Sequence, residues 1–93
     1  MSELDTEGLV KLFKVLSKPD ALRLFLHTSE GIESSTYAME ELNLTSKKYY
    51  ARLKELVEIG LMQGSGGSYT QTPFGLFVCN KIIDVLSKFA YYF

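Results

Sequence analysis

Between Met39 and Met62 the chain reads MEELNLTSKKYYARLKELVEIGLM, and this stretch limits the fold more than any other. It reads as a short helix, a tight turn and a longer helix that opens on basic and hydroxyl side chains. The turn is Leu42-Asn43-Leu44: Asn43 is one of the few residue types that tolerates a left-handed backbone, and the two leucines anchor the flanking helices. Thr45 is placed to cap the second helix, with a hydroxyl that can satisfy an orphan backbone donor. Two helices joined in this way make a helix-turn-helix, whose second helix enters a major groove by its opening turns.

A step of about 100° per residue sorts that second helix, Thr45 to Ile59, into two faces. Leu53, Leu56, Val57 and Gly60 fall on the side of Tyr49. Lys47, Ala51, Lys54 and Glu58 fall opposite, with Lys48 and Tyr50 at the margins and Ser46 and Arg52 nearer the apolar stripe. One face packs and the other is offered. The residues expected to touch DNA are therefore Thr45, Ser46, Lys47, Lys48, Tyr50, Arg52 and Lys54.

Gly60 ends the helix, being free to turn left-handed, and Leu61-Met62-Gln63 has the character of a short strand. Gly64-Ser65-Gly66-Gly67 reads as a hairpin loop and Ser68-Tyr69-Thr70-Gln71 as the returning strand. Thr72-Pro73 then opens a helix, a capping hydroxyl before a proline at the first helical position. A helix-turn-helix followed by a hairpin is a winged helix, in which the hairpin lies along the phosphate backbone or minor groove. This wing carries no charge, so its contacts with DNA fall to Ser65, Ser68 and backbone amides.

Three segments resemble the ArsR-like winged-helix regulators common in archaea and bacteria. Leu16-Ser17-Lys18-Pro19-Asp20-Ala21-Leu22-Arg23-Leu24 is similar to that family's helix opening, with Ala21 where an arginine is usual. Leu44-Thr45 through Leu53, Leu56, Gly60 and Leu61 match its recognition-helix pattern. Tyr69-Thr70-Gln71-Thr72-Pro73-Phe74-Gly75 resembles the segment that closes the wing, with Gln71 in place of a leucine. The resemblance spans nearly the whole chain and implies a mainly α fold with a small β-hairpin (α+β): about five helices and a two- or three-stranded wing sheet. It implies a transcriptional regulator less strongly than it implies the fold, because winged helices also serve as protein-binding modules.

The rest of the chain is consistent with one domain over residues 1–93. Leu9, Leu12, Phe13 and Leu16 form a stripe at i, i+3, i+4 and i+7 on a first helix from about Thr6. A second helix begins near Pro19, carries Leu22, Leu24, Phe25 and Leu26, and breaks at Thr28-Ser29-Glu30-Gly31. Residues Ile32 to Ser34 cross to the short helix of Thr36 to Leu42, and in this fold such a crossing often pairs with the wing as a third strand.

The last helix, about Pro73 to Phe93, is apolar over far more than one stripe: Phe74, Phe77, Val78, Ile82, Val85, Leu86, Phe89 and Phe93 line one side, and Leu76, Ile83, Ala90 and Tyr91 widen it. A helix so apolar must be buried on more than one side. With 46% hydrophobic residues in only 93, the chain holds more apolar surface than a small monomer readily hides, which points to a homodimer. The expected interface is Leu76, Val78, Cys79, Ile82, Ile83, Leu86, Phe89 and Ala90. Lys81 and Lys88 are the only cations of this helix, too few for a membrane-surface helix with a basic polar face.

Chemistry is largely missing from the sequence. Metal sensing needs several converging ligands, and Cys79 and His27 alone cannot build the cysteine pair or histidine-rich sites of many ArsR-like proteins, so neither metal nor cofactor is expected. His27 reads as a cap or a partly buried residue, and Cys79 as a small apolar side chain in the helical interface. The glycine-rich loop lacks the lysine and helix of a phosphate cradle. No nucleophile has a histidine placed to activate it, so no enzyme is expected. The acidic start, the single cysteine and the lack of a long apolar run lead to the expectation of a cytoplasmic protein without a membrane segment.

Net charge works against DNA binding, at −1 with a sequence pI near 5.8, because proteins that neutralise phosphates are usually basic. Its distribution favours it, since Lys47, Lys48, Arg52 and Lys54 crowd one helix. The expected function is a homodimeric transcriptional regulator that reads duplex DNA with helix 45–59. The alternative is a winged-helix protein-interaction module in a larger transcription or chromatin assembly.

Overall fold

The computed structural model describes residues 3–92. Five helices and one hairpin occur in order: α1 (Glu3–Leu16), α2 (Pro19–His27), α3 (Ser35–Leu42), α4 (Ser46–Glu58), β1 (Met62–Ser65), β2 (Ser68–Gln71) and α5 (Pro73–Tyr92). A 3-10 turn, Thr28–Glu30, joins α2 to the crossing segment. This is a mostly helical α+β fold of winged-helix type. The first helix starts three residues earlier than the sequence suggests. Phe93, expected at the end of the last helix, lies outside the described residues.

Local signals place the helix boundaries. Asn43 is left-handed at φ 53°, the only non-glycine positive φ among the described residues. Its N–H donates to the Glu40 and Met39 carbonyls, which closes α3. Thr45 caps α4 by accepting the Lys48 N–H at 3.3 Å. Such a cap contributes about 1 kcal/mol. Thr72 caps α5 in the same way, its hydroxyl accepting the Gly75 N–H at 2.9 Å.

The core gathers Leu24 and Phe25 of α2, Ala38 and Leu42 of α3, Tyr49, Leu53 and Leu56 of α4, and Leu61 and Met62 at the wing's base. Complete burial of each large side chain contributes roughly 1.5–3 kcal/mol. Tyr49 is 0% exposed, and its phenol still finds a partner, donating to Ser35 Oγ at 2.9 Å. Tyr50, the next residue, is 48% exposed. Tyr49→Ala is therefore expected to cost about 3–5 kcal/mol in a urea titration, and Tyr50→Ala less than about 1 kcal/mol. Equal losses would mean that the two rings share the core.

The wing is tighter than its sequence suggests. The expected four-residue loop is a two-residue turn, Gly66-Gly67, because Gly64 and Ser65 remain in strand and Ser65 pairs with Ser68. Both turn glycines have positive φ, 58° and 88°, as the tight hairpin turns that suit twisted strands require. The first strand begins at Met62 rather than Leu61 for a related reason: the Leu61 N–H is held by the Leu56 carbonyl at 2.9 Å, as the chain leaves α4. The crossing segment adds a single bridge, Ile32 to Tyr69, in place of a full third strand.

Gln71 ties the wing to α2. It is buried, and its Nε2 donates to the Phe25 carbonyl at 3.0 Å and to Thr28 Oγ1 at 3.2 Å. Thr28 Oγ1 itself donates to the Phe25 carbonyl at 2.6 Å. The side chain thus fastens the base of the wing to the end of α2, satisfying a carbonyl that the helix terminus leaves over.

Candidate nucleic-acid interface

α4 presents its opening turn to solvent because Tyr49, Leu53 and Leu56 behind it are committed to the core. Thr45, Ser46, Lys47 and Lys48 are all exposed there. Thr45 has its hydroxyl engaged as the cap. Among the residues expected to touch DNA, Lys47 and Lys48 are the charges the fold delivers most freely.

Arg52 is different. Its Nε donates to both carboxylate oxygens of Asp20, at 3.0 and 2.9 Å, and its Nη1 to Glu55 Oε1 at 2.8 Å. Lys18 meets the same Glu55 at 2.9 Å. Burial alone raises the Asp20 pKa, but the Arg52 hydrogen bond, the Ala21 N–H and the Arg52 charge outweigh it and hold that carboxyl below its ordinary value. Arg52, with its side chain 24% exposed, is a strut between α4 and the start of α2, its guanidinium engaged by Asp20 and Glu55. Its position near the apolar stripe was the available signal: a cation there meets the neighbouring helix before it meets solvent. Lys54 is exposed, with Glu58 one turn on at 3.9 Å.

The wing stands away from α4 and leaves a cleft of about 700 Å³ between them. Tyr50 and Lys54 line its helical side, and Gly64 through Gly67 with Tyr69 line the other. Val57, expected in the buried stripe, is exposed on this cleft because the hairpin does not close over the last turn of α4. Ser65 and Ser68 face each other across the turn, and the Ser68 hydroxyl donates to the Ser65 carbonyl at 2.9 Å. Ser68 therefore braces the turn.

A second surface lies along α1 and α5, which flank an open apolar groove of about 560 Å³, walled by residues including Leu9, Phe13, Phe74, Phe77, Leu86 and Phe89. Among the described residues its one charged lining residue is Lys81, whose ammonium lies 5.4 Å from the centre of the Phe77 ring. Leu76, Ile83, Leu86, Phe89 and Ala90 are exposed, as an interface requires. Cys79 is not: at 2% exposure it belongs to the protomer's own core, and Val78 and Ile82 rest half-buried against that core. Of the residues expected at the interface, Cys79 and, in part, Val78 and Ile82 thus lie on the inward side of α5, together with Gly75. Val10 and Phe13 of α1, the latter 60% exposed, extend the apolar face.

His27 is the exposed last residue of α2 rather than a partly buried one. Among the described residues no three His, Cys, Asp or Glu side chains gather to hold a metal ion, and no helix is long and apolar enough to cross a membrane. Comparison of the sequence with protein-family models and with curated proteins returned no match.

Proposed function

We propose that this chain is an ArsR-like transcriptional regulator that reads duplex DNA as a homodimer. The observation that supports it is the opening turn of α4, where Ser46, Lys47 and Lys48 stand in solvent while Tyr49 anchors the same turn in the core. A rigidly seated helix with donors at its N-terminal end suits entry into a major groove. The helix contributes two lysines that stand outside the ion-pair network of Lys18, Asp20, Arg52 and Glu55. The wing contributes no charge, so affinity rests on few phosphate contacts and on the dimer's two-fold repetition. The mechanism is occlusion or recruitment at a promoter.

Lys47→Ala with Lys48→Ala tests this reading. The double variant is expected to weaken binding and to flatten the plot of log affinity against log salt by about 0.9 for each phosphate no longer neutralised. Its circular dichroism should match the parent, since alanine is the better helix former. Unchanged affinity and slope would remove α4 as the reader. The internal pairing of Arg52 and the uncharged wing favour a second reading, a winged-helix protein-interaction module, which predicts no duplex binding even at low salt.

A further inference from the structure

The main-chain hydrogen bonds of the wing reveal an open edge. Ile32 N–H donates to the Tyr69 carbonyl at 2.7 Å, and Tyr69 N–H to the Ile32 carbonyl at 3.0 Å. Tyr69 therefore turns both of its main-chain groups away from β1. Directly opposed residues in an antiparallel pair alternate between exchanging both bonds and exchanging none. Gly64, the partner of Tyr69, accordingly points its own N–H and C=O outward, to the outer edge of a two-stranded sheet.

Natural edges are usually guarded by lysine, proline or a bulge. β1 reads Met-Gln-Gly-Ser and has no such charge or proline, and Gly64 has no side chain to cover its own backbone. This edge borders the α4–wing cleft, where the half-exposed Tyr50 ring and the Val57 side chain offer apolar surface. Among the described residues the only charged ones lining the cleft are Lys54 and Glu58, 3.9 Å from each other. Such a cleft gives a polyanion little net counter-charge, but it suits an uncharged main chain with an apolar side chain.

We infer that the α4–wing cleft binds an extended, uncharged polypeptide segment, which adds as a strand to the Gly64 edge of β1 and rests an apolar side chain on Tyr50 and Val57. Strand addition of this kind takes affinity from main-chain bonds and selectivity from alternate side chains. The cleft shares Tyr50, Lys54 and the wing amides with the surface expected to meet DNA, whereas Lys47 and Lys48, which carry the proposed DNA reading, lie at the opposite end of α4 from Val57.

Random nine-residue peptides displayed on phage and selected on the intact chain supply the probe. Winners are synthesised, titrated by fluorescence anisotropy and mapped by amide NMR. Shifts are expected at Tyr50, Val57 and Gln63 through Gly67, with slowed exchange of the Gly64 amide. Gly64→Pro and Gly64→Ala both place a Cβ against the Tyr69 ring, 2.8 Å from its Cε1, so the alanine variant carries the packing effect. Only proline also removes the outward N–H, at an edge position where it is tolerated. Binding to the proline variant should be about tenfold weaker than to the alanine variant. Val57→Asp, a change at an exposed site, gives an independent arm if the proline variant does not fold, with a similar loss expected. Equal affinities across these variants would overturn the inference. So would selected peptides whose shifts map to α1 and α5, or a selection that yields no binder.

Discussion

Gly75→Ala is expected to destabilise the domain by about 3 kcal/mol or more, at the upper end of overpacking effects. A Cβ at this position would fall on the Leu61 carbonyl oxygen and crowd the Leu61 carbonyl carbon and Gln71 Cβ as well. Leu61 cannot give way, because its carbonyl accepts the Thr72 N–H at 3.1 Å while its N–H donates to Leu56. Intrinsic helix propensity favours alanine by roughly 1 kcal/mol, so a loss can only come from the separation of α5 from the wing's base. For a domain of this size the melting temperature should drop by about 10–20 °C. A melting temperature within a few degrees of the parent would mean that α5 can slide without cost and that its seat on Leu61 is not a fixed reference for the fold.

Ile83→Asp should separate the proposed dimer into monomers and lower affinity for a palindromic duplex by about 100-fold or more, the scale on which loss of linked binding acts. Ile83 is half exposed in a single chain and Leu76, seven residues before it on α5, is exposed too, so a carboxylate there does little to the protomer. In an interface it would be buried without a partner. Two protomers related by a two-fold axis would present their α4 helices to half-sites about 34 Å apart. The measurements are sedimentation equilibrium and a gel-shift titration, with circular dichroism as the control for folding. A wild-type chain that sediments as a folded monomer at high micromolar concentration would remove the dimer, and with it the reason to expect a palindromic site.

The helix-turn-helix was legible in the sequence because its signals are local: Asn43 for a left-handed turn, Thr45 for a cap, and a 3.6-residue period that separated Tyr49 from Tyr50. Those are properties of neighbouring residues, and tertiary packing left them intact. The wing's existence was legible too, from its glycines and the Thr72-Pro73 helix start. Its length was not, since Gly64 reads as loop until Tyr69 is known to lie across it. Arg52 and Val57 show where a helical period fails. Periodicity gives a direction around the axis, but what lies in that direction, Asp20 in one case and an open cleft in the other, depends on elements distant in sequence. Cys79 fails for the same reason: the breadth of apolar surface on α5 was evident, but which arc faces the protomer depends on where Gly75 meets Leu61.

Cys79 has a practical consequence. The chain has one cysteine, and its thiol is sealed between α5 and the core at 2% exposure. A thiol reagent in solution can reach it only when the helix lifts, so the rate of modification in native buffer counts those openings rather than the chemistry of the sulfur. The molecule thus carries an unengineered clock for the detachment of α5, readable without a label. The helix it times is also the one that carries most of the apolar face, so the same stopwatch can be run with concentration as the variable. If copies associate through that face, modification should slow as the protein is concentrated.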